Sequence, residues 1–317
     1  AIAIFDLRDH LLKLFPDRAG IKPLYYFYDG KEFAFASELK GIVRLCHDIP
    51  FEHDRTALFD YLTYSYIPEP KTLYQNVFKL LPAHQLTFNV LTKTTSGPRP
   101  YWALNPQCAR PETTIKAASA HLRELIQESI RDQLVADVPV GCFLSGGMDS
   151  STIVAEASCL KLDMETFSIG FDNPRFTEVH YAKHLTEKFK VNHRIKTLSY
   201  IKTQEMLENL IRWYDEPFAD TSAFPTFLVS EFARQHVTVV LTGDGGDEVF
   251  GGYSRFKIYD LIFKLPHFPH KGLNEQFARW KYTNCQTWAY QFFLAGEIFT
   301  SDEVTCYPLL MGAMSSP

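Results

Sequence analysis

Phe143-Leu144-Ser145-Gly146-Gly147-Met148-Asp149-Ser150-Ser151 joins a short apolar run to a stretch without helix breakers through two consecutive glycines. Val138, Val140, Cys142, Phe143 and Leu144, with Pro139 near the start, make up the run, and residues 150–160 continue unbroken after it. The spacing predicts strand, glycine turn, helix. Glycines let backbone N–H groups approach an anion closely, and the following helix aims its positive end at the same point, so this junction suits phosphates. No lysine follows, which excludes a Walker loop with its Gly-Lys-Ser or Gly-Lys-Thr. A pyrophosphate here would be held by amides, hydroxyls and a metal on Asp149. An ordinary Ser/Gly turn is the competing reading of this segment taken alone.

Around this junction, from Thr113 onward, helical and extended patterns alternate. Residues 114–134 carry Ile115, Ala118, Leu122, Leu125, Ile126, Ile130 and Leu134 at helical spacing, an amphipathic face. After the glycine loop come a strand at 166–171, a helix at 177–189, a strand at 193–198, helical patterns at 202–214 and 227–235, and a β-branched strand at 237–241. Strands separated by helices predict a doubly wound parallel sheet, with ligands off the carboxyl ends of the strands. Chemistry is therefore expected after Leu144, Phe171 and Leu241. Thr242-Gly243-Asp244-Gly245-Gly246-Asp247-Glu248 follows the last of these, three carboxylates on a glycine turn. Asp149 and Asp247 together suit Mg²⁺ beside phosphates, leaving Asp244 near an acyl group; a solvated acidic turn is the alternative. A dinucleotide fingerprint is excluded, because its third glycine would fall on Glu248. Gly251-Gly252-Tyr253 is expected to lead into another helix.

The first part of the chain reads as β-rich. Residues 1–7 and 11–15 are apolar runs, and residues 24–28 and 33–36 flank Asp29-Gly30, a hairpin signal. Ser37-Glu38 opens a short helix, Asp54 caps another, and residues 86–90 read as a strand. The polar, proline-bearing stretch 92–112 reads as a linker. The expected division is therefore a β-rich domain over 1–91, a linker over 92–112, and an α/β domain over 113–317.

With 317 residues, 46% of them hydrophobic and 22% charged, the chain has the composition of a soluble globular protein. A net charge of -5 and the lack of a basic cluster argue against a nucleic-acid partner. No apolar run is long enough for a membrane helix, and no signal peptide is recognisable. Six cysteines lack CxxC pairing, so neither a zinc site nor a disulfide framework is expected. A cytoplasmic location is the default expectation. His180, His184 and His193 invite acid–base roles, but exposed or core histidines are the simpler reading.

Ser145-Gly146-Gly147-Met148-Asp149-Ser150 resembles the pyrophosphate loop of N-type ATP pyrophosphatases, and residues 242–253 (TGDGGDEVFGGY) are similar to the matching loop of glutamine-dependent asparagine synthetases. Phe167 to Phe171 and Asp215-Glu216-Pro217-Phe218-Ala219-Asp220 resemble that family too. So do Asp17 to Tyr26 and Phe35 to Lys40, which look like the later half of its class II amidotransferase domain. The motifs carry the resemblance over about residues 1–260. It implies a partial amidotransferase-like α+β domain followed by an ATP pyrophosphatase domain. By resemblance ATP's adenine lies against Leu144, Ile169 and Thr242-Gly243, while Ser145, Gly146, Gly147, Asp149 and Ser150 surround its pyrophosphate. Asp149 and Asp247 bind Mg²⁺, and Asp244 takes the place of an acidic residue linked to forming the acyl intermediate. The implied reaction adenylates the aspartate side chain, and ammonia, released from glutamine in an intact parent, displaces AMP to give asparagine.

The chain also departs from that pattern. The family's amidotransferase begins with a nucleophilic cysteine, whereas position 1 here is Ala1, so glutamine hydrolysis is expected to be absent. Residues 261–317 show no recognisable counterpart of the family's lysine-bearing loop, and the chain is expected to be incomplete at both ends. Three readings stay open: a piece of an asparagine synthetase, a related amide- or lactam-forming ligase acting on another carboxylate, and a non-catalytic ATP-binding protein. A homodimer is an open expectation.

Overall fold

The computed structural model describes residues 1–105, 114–160, 163–171, 179–198, 203–253 and 256. The helix expected after Tyr253, residues 261–317 and the cysteines at 108, 285 and 306 lie outside these. In chain order the elements are β1 (Ile2–Asp6), β2 (Leu11–Phe15), β3 (Tyr25–Tyr28), β4 (Phe33–Ala36), α1 (Leu39–Leu45), α2 (Arg55–Tyr64), β5 (Val77–Lys79), β6 (His84–Asn89) and β7 (Thr94–Pro100). There follow α3 (Ile115–Gln133), β8 (Val140–Phe143), α4 (Met148–Leu160), β9 (Glu165–Phe171), α5 (Val179–Phe189), β10 (Asn192–Leu198), α6 (Thr203–Tyr214), α7 (Ala223–Arg234), β11 (Val239–Leu241) and α8 (Gly246–Phe250). The chain divides into two compact units, residues 1–112 with 205–221, and residues 113–204 with 222–317.

The first unit holds two antiparallel sheets, ordered β1-β2-β6-β7 and β4-β3-β5. The Asp29-Gly30 hairpin forms as expected, pairing Tyr25 with Ala36 through Tyr28 with Phe33. Asp54 caps α2, its Oδ1 accepting from Thr56 N–H at 2.8 Å. One reading is corrected here. Residues 94–100, taken as part of a linker, form β7, paired antiparallel with β6 from Asn89–Thr94 to His84–Pro100. Pro98 and Pro100 hid the strand, yet β7 is the edge of its sheet, where an N–H facing away from the neighbour is dispensable.

In the second unit every strand pairing among the described residues is parallel, and the order is β10-β9-β8-β11. In chain order that is 3-2-1-4, a doubly wound sheet whose order reverses between β8 and β11. Side chains alternate across β8 and divide the core between two faces. Cys142 packs with Ile130, Val154, Ala157 and Ala182 on the side of α3, α4 and α5, while Phe143 packs with Phe167, Val229, Phe232 and Ala233 on the side of α7. Thr114 Oγ1 caps α3, accepting from Ala117 N–H at 3.2 Å. The long apolar face expected of α3 is buried only toward its carboxyl end. Ile130 is buried and Ile126 and Leu134 pack on the core, whereas Ile115, Leu122 and Leu125 are exposed.

His193 lies on β10 beside Thr166 of β9. Thr166 Oγ1 donates its one proton to the carbonyl of Asn192 at 3.1 Å, so His193 Nδ1, 2.9 Å away, is the donor to that hydroxyl. Among the described residues Nε2 is buried with no hydrogen-bond partner, and burial holds the imidazole below the usual histidine pKa. The fold therefore favours the neutral ring. The unfolded chain takes up the proton first as pH falls through 6.5, so this site's stability is full above that value and is lost below it. The thermal unfolding midpoint is expected to fall between pH 7.5 and pH 5.5, and His193→Asn to flatten that slope; an unchanged slope in the variant would remove His193 from the account.

Candidate functional site

The cleft of the second unit is built where β8 and β11 end side by side, at the reversal of strand order. Leu144 N–H donates to the Phe167 carbonyl at 2.9 Å, extending the ladder one residue, and Ser168 Oγ donates to the Leu144 carbonyl. The backbone then turns through Gly146, with φ +95°, into α4. Within the turn Ser145 Oγ accepts from Gly147 N–H at 3.2 Å and lies 2.9 Å from Ser150 Oγ, which accepts from Ser145 N–H at 3.2 Å. These bonds close the loop on itself and fix Asp149 in the first turn of α4.

The loop after β11 lies directly against this turn. A Cβ added to Gly243 would fall 2.7 Å from the Ser150 nitrogen and 2.9 Å from the Asp149 carbonyl carbon, both backbone atoms that cannot yield. A Cβ on Gly246 would fall 2.5 Å from Asp149 Cγ. At Gly243 only glycine permits this approach. Thr242 Oγ1 donates to Asp244 Oδ2 at 2.8 Å, and Glu248 Oε1 accepts from Tyr253 OH at 2.6 Å, so two of the loop's carboxylates are oriented by neighbours within it.

The two loops border a cavity of about 770 Å³. Of the residues expected to bind nucleotide, Leu144, Ser145, Gly147, Asp149, Ser150, Ile169, Thr242 and Gly243 line it; Gly146 does not, and serves the turn instead. Asp244 and Asp247 line it too. His180, His184 and His193 do not: the first two are exposed and the third is packed against Thr166. Pro225, Thr226 and Val229 of α7, with Phe143, Phe167 and Phe171, supply an apolar wall that sequence reasoning missed. Their signal was the ordinary one of a core helix, and only the fold turns that helix toward the strand ends.

Among the described residues no group of three or more His, Cys, Asp or Glu side chains is placed to cage a metal ion. Asp149 and Asp247 border one cavity. Two carboxylates with room for phosphates and water fit Mg²⁺, which keeps several waters and is seldom enclosed by protein alone. Adding a methyl group where the loops touch tests their packing. Gly243→Ala is expected to destabilise the protein by about 1–3 kcal/mol through overpacking against backbone. Gly246→Ala should cost less, because the Asp149 carboxylate can rotate away. Urea unfolding that found Gly243→Ala neutral would contradict the contact.

A family model described as Asparagine synthase matches residues 121–304, and one described as Glutamine amidotransferase domain matches residues 1–102. The first match runs past residue 260, where the recognisable motifs ended. A putative asparagine synthetase [glutamine-hydrolyzing] 2 of Methanocaldococcus jannaschii is 41% identical over 275 residues, covering 84% of this chain and 52% of that protein. Asparagine synthetase [glutamine-hydrolyzing] 1 of Bacillus subtilis is 36% identical over 259 residues, covering 81% of this chain and 40% of that protein. The chain thus spans about half the length of these relatives. Among solved structures, an NMN synthetase from Francisella tularensis superposes with a TM-score of 0.32 at 17% identity over 46% of this chain and 61% of that one, too weak a likeness to bear on fold or function. Since the synthase match spans residues 121–304 of 317, more than half of the whole, the chain belongs to the asparagine synthase family.

Proposed function

We propose that the cleft binds Mg²⁺-ATP and activates the side-chain carboxylate of aspartate for amidation by ammonia, releasing pyrophosphate and AMP. The observation that carries this reading is the seating of the 242–248 loop against the start of α4, which puts Asp149, Asp244 and Asp247 around one cavity. Family membership supports it independently.

On this reading the Ser145–Ser150 turn receives the pyrophosphate through backbone N–H groups and serine hydroxyls, reinforced by the amino end of α4. Leu144, Ile169 and Thr242-Gly243 lie against the adenine, with the apolar wall from α7 excluding water around the base. Asp149 and Asp247 would hold Mg²⁺, which when bound neutralises phosphate charge. The carboxylate oxygen of aspartate attacks the α-phosphorus, the α,β-bridging oxygen leaves with pyrophosphate, and the mixed anhydride forms. Ammonia then adds to the activated carbonyl carbon, AMP departs, and the nitrogen loses its extra proton to give the amide. On this reading Asp244, whose carboxylate accepts from Thr242 Oγ1, acts beside the reacting carboxyl group. The protein's contribution is positioning and charge neutralisation, with no covalent intermediate on its own side chains.

Two measurements test the reading. Asp149→Ala is expected to weaken Mg²⁺-ATP binding about 10- to 100-fold by calorimetry, the size of a lost charge-assisted contact; unchanged affinity would remove Asp149 from the metal site. ATP–pyrophosphate exchange is expected to depend on aspartate. Exchange supported by a different carboxylate and not by aspartate would redirect the proposal to a related ligase.

A further inference from the structure

Glu156, in the second half of α4, is a carboxylate buried inside the second unit, 8% exposed. Both of its oxygens are held by α3. Arg123 Nε donates to Oε1 at 2.7 Å, and Gln127 Nε2 donates to Oε2 at 2.6 Å. All three residues belong to the same unit as the Ser145–Ser150 turn at the head of α4. None of them borders the cleft, so a role in the site must act through the helix.

Spacing along α4 ties this clamp to the site. Asp149, Ile153 and Glu156 stand at i, i+4 and i+7, one stripe of the helix, because seven residues bring an α-helix back to within about 20° of its starting direction. Beside the clamp, Ile153, Val154 and Ala157 of α4 share an apolar cluster with Ile126 and Ile130 of α3. Apolar burial is non-directional, so it draws the helices together while tolerating small rolls and tilts. Hydrogen bonds to two separate carboxylate oxygens are directional and do not. The pair adds little net stability, since desolvation falls on Glu156 while the Arg123 side chain stays 65% exposed. Selecting one geometry is the better-attested use of such a pair. Asp149 lies about 10 Å from Glu156 along the axis, at roughly 1.5 Å per residue. A tilt of about 5° pivoting at Glu156 therefore carries Asp149 by roughly 1 Å, a misplacement that costs on the order of 100-fold where groups must be held in register.

We propose that Glu156 is a positioning residue: clamped by Arg123 and Gln127, it sets the roll and tilt of α4, and with them the direction in which Asp149 and the Ser145–Ser150 turn face the cleft. The consequence for ligand binding rests on the cleft being the nucleotide site. Glu156→Leu removes the clamp while leaving an apolar side chain at the buried position. Arg123→Leu loosens it from the exposed end, where a substitution spares the core. Val191→Ala trims the same apolar cluster without bordering the cleft, and so controls for lost stability.

Calorimetry on the whole chain measures Mg²⁺-ATP affinity, and hydrogen exchange followed by mass spectrometry compares peptides spanning residues 145–151 with peptides from β10. Both clamp variants are expected to bind about tenfold more weakly, the effect of one displaced charge-assisted contact, and to exchange faster across residues 145–151 than across β10. The double variant is expected to bind no more weakly than Glu156→Leu alone, because Arg123 acts through Glu156. Val191→Ala is expected to keep its affinity. Unchanged affinity in either clamp variant would overturn the proposal, as would an equal loss in Val191→Ala or losses that multiply in the double variant. Should the unsubstituted chain bind no Mg²⁺-ATP, the nucleotide reading falls, while exchange across residues 145–151 still decides whether the clamp positions the turn.

Discussion

Close backbone approach at Gly243 is the constraint on which the site depends. Parallel strands β8 and β11 end beside one another, and the two loops leaving them can share a cleft only if nothing larger than hydrogen stands between Gly243 and the Asp149–Ser150 backbone. Given that contact, the acidic residues of the second loop come to the amino end of α4, where carboxylates suit a cation beside an anion received by the helix N–H groups. Without it, each loop would be the ordinary polar turn that either one suggests in isolation.

The strand order supplies the place and the loops supply the chemistry. The sheet reverses direction of growth between β8 and β11, which opens a crevice at their carboxyl ends. Phe143 and Phe167 line its floor while also packing against α7, so the residues that hold the sheet to this helix also shape the cavity. The core and the site are thus one structure seen from two sides. A change in α7 packing is a change in the cleft wall.

Much of this was legible in the chain itself. The β8–turn–α4 junction stood out because an apolar run, a pair of glycines and a breaker-free stretch agree on one local structure, and the 242–248 loop stood out by its three carboxylates. Local agreement of that kind is what a sequence exposes well. β7 was missed because Gly97, Pro98 and Pro100 carry the composition of a connector, and only its edge position makes a strand of them. α3 was overestimated because helical periodicity reports a face without reporting how much of it is covered. The wall from α7 and the partners of Glu156 were invisible for a common reason. Both depend on contacts between separate segments of the chain, such as Gln127 with Glu156, which no local pattern encodes.

A crystal structure of the chain with Mg²⁺-ATP tests the central claim most directly. The account predicts the nucleotide in the cleft between the two loops, its pyrophosphate oxygens within hydrogen-bond distance of the amides and hydroxyls of residues 145–150, and Asp149 and Asp247 flanking a shared metal ion. Nucleotide density elsewhere, or phosphates directed away from the start of α4, would contradict it.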